Sequence, residues 1–120
     1  MSYDISFKVK VEGADVWVPV GDCDANITWN VREMIEASTG LPWLNEADNG
    51  LVKDVIPSIL KGFEELTCRP GLYTKYEHPS GWGTVVGCKY FFLCIIKAWE
   101  AFTESYDTRD LVDVVHFWIE

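Results

Sequence analysis

Basic side chains are scarce in this sequence: 10 Lys and Arg stand against 19 Asp and Glu over 120 residues, a formal net charge of -9. A field of that sign opposes phosphate backbones, so duplex DNA or RNA is not expected as a direct partner. Histidine is scarcer still, and any histidine-dependent mechanism would have to use His78 or His116. The four cysteines, at positions 23, 68, 88 and 94, form no CxxC pair and no matched spacing, which excludes a zinc knuckle or redox pair by pattern. No long hydrophobic run exists either. The longest uncharged apolar stretch, Tyr90 to Ile96, is bounded by Lys89 and Lys97 and is far too short to cross a bilayer. No GxSxG, HExxH, phosphate-loop or dinucleotide fingerprint occurs, so neither a cofactor nor a metal is expected. Linkers, repeats and low-complexity segments are also missing.

What is present is a globular composition. Hydrophobic residues make up 48% and aromatic residues 14%, with six Trp and six Phe, enough for one domain over residues 1–120 to bury roughly two-thirds of its unfolded surface. No charged, apolar, small-residue leader stands at the N-terminus, so the expected location is the cytoplasm, with free thiols. There the Asn26-Ile27-Thr28 glycosylation sequon would be idle. Cys88 and Cys94 fall in an apolar helical run, where a thiol behaves as a small buried hydrophobe.

Residues 3 to 11 alternate, with Tyr3, Ile5, Phe7, Val9 and Val11 on one side and Asp4, Ser6, Lys8 and Lys10 on the other. This predicts a half-buried strand, followed by a turn at residues 12–15 and a second strand over Val16 to Val20, with Pro19 at a sheet edge. A first helix is expected beyond Asn26 to Asn30, with Asn30 and Glu33 as a capping box and Val31, Met34, Ile35 and Ser38 turned inward. Gly40 stops it. After a polar connection over Asn45 to Gly50, a second helix carries the stripe Val52, Val55, Ile56, Ile59, Leu60, Phe63 and Leu66, with Asp54 as cap and Pro57 in its first turn. Residues 67–82 are irregular around a short helical turn. A third helix over Thr84 to Glu104 is apolar except along one narrow edge, as expected of a nearly surrounded helix. Leu111 to Ile119 reads as an interior strand. These elements predict an α+β fold. In it a largely antiparallel three-stranded sheet, the N-terminal hairpin plus the C-terminal strand, carries three helices on one face.

Two segments could hold a ligand. Asn26-Ile27-Thr28-Trp29-Asn30-Val31-Arg32 gathers carboxamides, a hydroxyl, an indole and a guanidinium at a helix entrance, where Asn26, Thr28 and Asn30 could read polar edges, Trp29 could stack and Arg32 could neutralise an anion. Plain capping and packing explain the same residues. Ser80-Gly81-Trp82-Gly83-Thr84 opens the third helix; Gly81 and Gly83 allow close backbone approach, Trp82 offers a ring, and the amides through Thr84 could receive an oxyanion. A tight turn with Trp82 plugging the core is the structural alternative. His78, just before Pro79, is the better of the two histidines for function, while His116 suits a structural place in a strand. Asp22, Asp24 and Glu33 could approach one another without fixing a metal geometry.

Ser2-Tyr3-Asp4-Ile5, Asn26-Ile27-Thr28-Trp29-Asn30-Val31 followed by Met34, the Asn49-Gly50-Leu51 junction and Gly81-Trp82-Gly83 before an aromatic-rich helix resemble, over most of the chain, a family of small bacteriophage and prophage proteins. The family's usual Asn before Gly-Trp-Gly is Ser80 here. The resemblance implies a viral or mobile-element origin, hence the host cytoplasm, and no established reaction. Three functions follow as expectations. The first is a non-enzymatic, counter-defence binding protein that holds a small anionic or nucleotide-like ligand between the two helix entrances. The second is an acidic inhibitor presenting Asp22, Asp24, Glu46, Asp48, Glu64 and Glu65 to a basic host protein. The third, a hydrolase or transferase, would use His78 with a nearby carboxylate.

Overall fold

The alternating N-terminal segment forms β1, Ser2–Lys10, and the sheet is built around it. The computed structural model describes residues 2–42 and 47–120. On one edge of β1 lies β5, His116–Ile119, antiparallel and in the register Ile5↔Ile119 to Lys8↔His116; Asp4 and Glu120 extend the ladder by exchanging both backbone bonds at 2.9 Å. The other edge is shared. β2, Trp17–Pro19, pairs with Lys8 to Lys10, and β3, Asn26–Thr28, pairs with Ser2 to Asp4. Between them the amide of Ile5 donates to the Ala25 carbonyl and the amide of Val20 to the Phe7 carbonyl, so the edge is nearly continuous. β4, Ala47–Leu51, lies beyond β5 and completes the order β2-β1-β5-β4.

The architecture is the expected α+β class, and the C-terminal strand does pair with the first. Two short strands are additional. β4 has the composition Ala-Asp-Asn-Gly-Leu, which disfavours strands, and it exists because β5 offers an open ladder. A bulge interrupts the pairing between Asp48 and Leu51, and the Asp48 carboxylate holds it by accepting from the Gly50 amide at 2.9 Å and pairing with His116 Nδ1 at 2.8 Å. The expected polar connection is therefore a strand from Ala47 onward, and its Asn45 and Glu46 lie outside the described residues. β5 is shorter than the Leu111 to Ile119 strand read from the sequence. Arg109–Leu111 is a 3-10 turn, and the amides of Val114 and Val115 both return to the Leu111 carbonyl.

One face of the sheet is buried. Tyr3, Ile5, Phe7, Ile27, Phe117 and Ile119 join one core with residues of all three helices. α1, Arg32–Thr39, buries Met34, Ile35 and Ser38 as its periodicity requires, with Val31 buried just before it. It ends on Gly40 at φ 76°, where the left-handed conformation favours glycine. α2, Val52–Cys68, starts earlier than expected: Leu51, not Asp54, precedes its first residue, so Pro57 lies inside the helix. There its ring nitrogen cannot donate to the Lys53 carbonyl; both residues are exposed, so water can serve that oxygen. At the far end, Arg69 Nε donates to Glu65 at 2.6 Å, and that hydrogen bond holds the Glu65 carboxyl below its ordinary range. α3, Val85–Glu104, begins where the sequence predicted, with the Thr84 hydroxyl accepting from the Gly87 amide at 3.0 Å.

Among the described residues no helix covers the opposite face. Its side chains cover one another instead: Trp17 meets His116 edge-on at 4.8 Å and Trp118 at 5.1 Å, while Lys8 Nζ lies 4.5 Å over the Trp118 ring.

α2 and α3 pack closely at Gly62. A Cβ there would stand 2.8 Å from both Phe92 Cε2 and Thr39 Cγ2. Gly62→Ala gains at most about 1 kcal/mol of helix propensity and loses roughly 1–3 kcal/mol to overpacking. A lowered urea midpoint is the expected result. Gly71→Ala, with nothing within 4 Å of the new methyl, should change stability by less than about 0.5 kcal/mol.

Candidate functional site

The two segments read from the sequence as candidate ligand sites meet. Gly83, at φ +89°, sits so close to the entrance of α1 that a Cβ would fall 2.7 Å from Val31 Cγ1 and 3.4 Å from Asn30 Cβ. Glycine is required there twice, for its backbone angle and for its lack of a side chain. The contact brings Trp82 beside β3, and the β1–β3 pairing adds Ser2, opposite Thr28. Together Ser2, Asn26, Thr28 and Trp82 line an open cleft of about 580 Å³. Trp82 does not plug the core: it is 71% exposed. Val86 and Tyr90, one helical turn apart on α3, are 76% and 66% exposed. The expectation of a nearly surrounded third helix fails on this side.

Several of the anticipated residues have structural employment. Trp29 donates its Nε1–H to the Ser2 carbonyl at 2.9 Å and lies 6.0 Å from Tyr3 at an interplanar angle of 30°, so it anchors the start of β1. Asn26 belongs to β3 and donates from Nδ2 to Asp4 Oδ1 at 2.8 Å and to Ser2 Oγ at 3.4 Å. Asn30 does not form the expected capping box. It lies inside the 3-10 turn Trp29–Val31, which has no side-chain cap, and α1 begins at Arg32 without one. Arg32 is paired with Glu36 at 3.0 Å, one helical turn along.

Part of the entrance of α3 is capped by the chain's own groups. The Glu77 carboxylate accepts from the Val85 amide at 2.8 Å, which places a negative charge at the positive end of the helix. The Gly81 amide donates to the His78 carbonyl at 3.0 Å, and the Trp82 amide to Ser80 Oγ at 3.4 Å. Of the amides foreseen as receiving an oxyanion, those of Gly81 and Trp82 are therefore engaged within the turn. Glu77 is the residue that sequence reading missed, since nothing in its spacing marks a glutamate eight positions upstream as a cap. His78 organises the same turn through Nδ1, which contacts Ser80 Oγ at 2.6 Å and accepts from the Ser80 amide at 3.1 Å.

A second concavity of about 430 Å³ lies at the other end of α3, where Asp22, Ser105, Asp107 and Thr108 stand over Ala98, Ala101 and Phe102. The acidic residues otherwise grouped as a docking surface are partly engaged: Asp48 with His116, and Glu65 with Arg69. The four thiols are free. Burial pushes the Cys23 thiol up to about 11 and the Cys88 thiol up to about 12, so both stay protonated at neutral pH. Among the described residues no group of three His, Cys, Asp or Glu side chains could hold a metal ion, and no helix is long and apolar enough to cross a membrane.

The Gly83 contact sets the cleft. Gly83→Ala should lower stability by roughly 1–3 kcal/mol in chemical denaturation, because Val31 is fully buried and cannot yield freely. Gly81→Ala shares the positive φ but has nothing within 4 Å, so the difference between the two variants measures the close approach alone. No family model, curated protein or solved structure matches the chain.

Proposed function

We propose that the chain is a non-enzymatic binding protein that holds a small, ring-bearing ligand of the nucleoside or nucleotide kind in the cleft between β3 and Trp82. The observation that carries this reading is the exposed indole beside two hydroxyls and a carboxamide. Leaving such a ring in water forgoes roughly 2–3 kcal/mol of burial, which a stacked ligand would recover. Ser2, Asn26 and Thr28 supply the directional hydrogen bonds that fix a ring's orientation. The resemblance to phage proteins supplies the setting, a host cytoplasm in which sequestering a small signal acts against defence.

Thermal-shift measurements against nucleosides, nucleotides and cyclic nucleotides test this. A true ligand at 100 times its Kd stabilises the fold by about 2.7 kcal/mol. Trp82→Ala should abolish that shift while changing the free protein's stability by only about 0.5 kcal/mol, as for other exposed positions. Absence of any stabilising ligand, or a shift that survives the substitution, rejects the assignment.

A second reading rests on the concavity holding Asp22 and Asp107. With the net charge of -9 and the carbonyl end of α3 close by, it suits the basic side chain of a host protein, whose aliphatic stem would lie on Ala98 and Ala101. An oligo-arginine peptide should then bind with strong salt dependence, and Asp22→Asn with Asp107→Asn should weaken it more than Asp54→Asn with Glu64→Gln, which remove the same charge elsewhere. Equal weakening by the two pairs would leave only a general field.

A further inference from the structure

We infer that the cleft selects an uncharged, hydroxyl-rich ring over its phosphorylated counterpart. This rests on the reading of the cleft as a ligand site and narrows it to a chemical class.

Asn26 already uses its Nδ2 on Asp4 and on Ser2 Oγ. Its remaining hydrogen-bonding atom is the carboxamide oxygen, an acceptor. The Asp4 carboxylate beside it adds acceptor capacity and a negative charge, and the hydroxyls of Ser2 and Thr28 can accept as well as donate. The cleft is thus rich in acceptors, and it suits a ligand rich in donors: the hydroxyls of a sugar or the hydroxyl and amino groups of a nucleoside. Trp82 meets either through a ring face, C–H bonds of a sugar or the plane of a base.

The same inventory opposes a phosphate. None of the four lining residues is cationic. Arg32, the guanidinium nearest in sequence, is paired with Glu36. The helix entrance next to Trp82, where an anion would ordinarily find positive potential, already carries a negative group, the Glu77 carboxylate on the Val85 amide. A phosphate in the cleft meets like charges on Asp4, beside Asn26, and on Glu77, at the start of α3, within an overall field of the same sign.

Calorimetric titration at fixed ionic strength decides the matter, with adenosine against adenosine monophosphate as one arm and methyl glucoside against glucose 6-phosphate as the other. The expected result is at least tenfold tighter binding of the uncharged member in whichever arm binds, and the arm identifies the source of the ring. Glu77→Gln, checked for folding by circular dichroism, should narrow that ratio by improving the phosphorylated member while leaving the uncharged one near its original affinity. Equal or tighter binding of the phosphorylated member, lost in Trp82→Ala, would overturn the selectivity and leave the cleft standing as a site. Binding in neither arm, or binding that survives Trp82→Ala, would overturn the cleft reading and this inference with it.

Discussion

Everything in the molecule is referred to β1, because three of the four other strands pair with it directly. β5 takes one edge, and β2 and β3 divide the other between its two ends. Its odd-numbered side chains Tyr3, Ile5 and Phe7 are in the core, so a shift of one residue would turn that apolar set to the opposite face and bury Asp4, Ser6 and Lys8. The register is therefore strongly specified, and with it the position of Ser2 opposite Thr28. The cleft inherits its geometry from this constraint. Trp82 arrives from the turn before α3, but it arrives against a wall that β1 has already placed.

How much of this the sequence disclosed depended on whether the information was local. The alternation of residues 3 to 11, the periodicity of α2 and the threonine before α3 are local signals, and each produced the element it predicted. β4 was hidden because nothing in Ala-Asp-Asn-Gly-Leu favours a strand; only the free edge of β5 makes it one. β3 was hidden in the same way, since Asn26 to Thr28 looked like a helix entrance until Ser2 to Asp4 paired with it. The start of α2 was misplaced for a related reason. Leu51 ends a strand that could not be anticipated, and the helix begins directly after it, with Pro57 inside.

The site was legible as composition and illegible as roles. Asn26, Thr28 and Trp82 do share a cleft, and Gly83 does bring the two segments together. Trp29, Asn30 and Arg32, adjacent in sequence to residues of the cleft, turn to Ser2, to the 3-10 turn and to Glu36. A polar side chain at a helix entrance has neighbours within the chain competing for it, and which neighbour wins is a three-dimensional matter. Glu77 illustrates the point most sharply. A carboxylate from the preceding loop accepts from the Val85 amide and sets a negative charge at the start of α3, directly beyond the amides from which an anion-binding role was read.

The ladder between β1 and β5 also joins residues 5 and 119, nearly the full span of the chain. Closing so long a loop adds little thermodynamically, since loop entropy grows only with the logarithm of length. Its effect is on timing. While the polypeptide grows from its N-terminal end, the inner edge of the central strand stays unpaired until residue 119 has emerged, exposing a run of unsatisfied amides and carbonyls next to Ile5 and Phe7. For that interval the nascent chain is open to pairing with other strands.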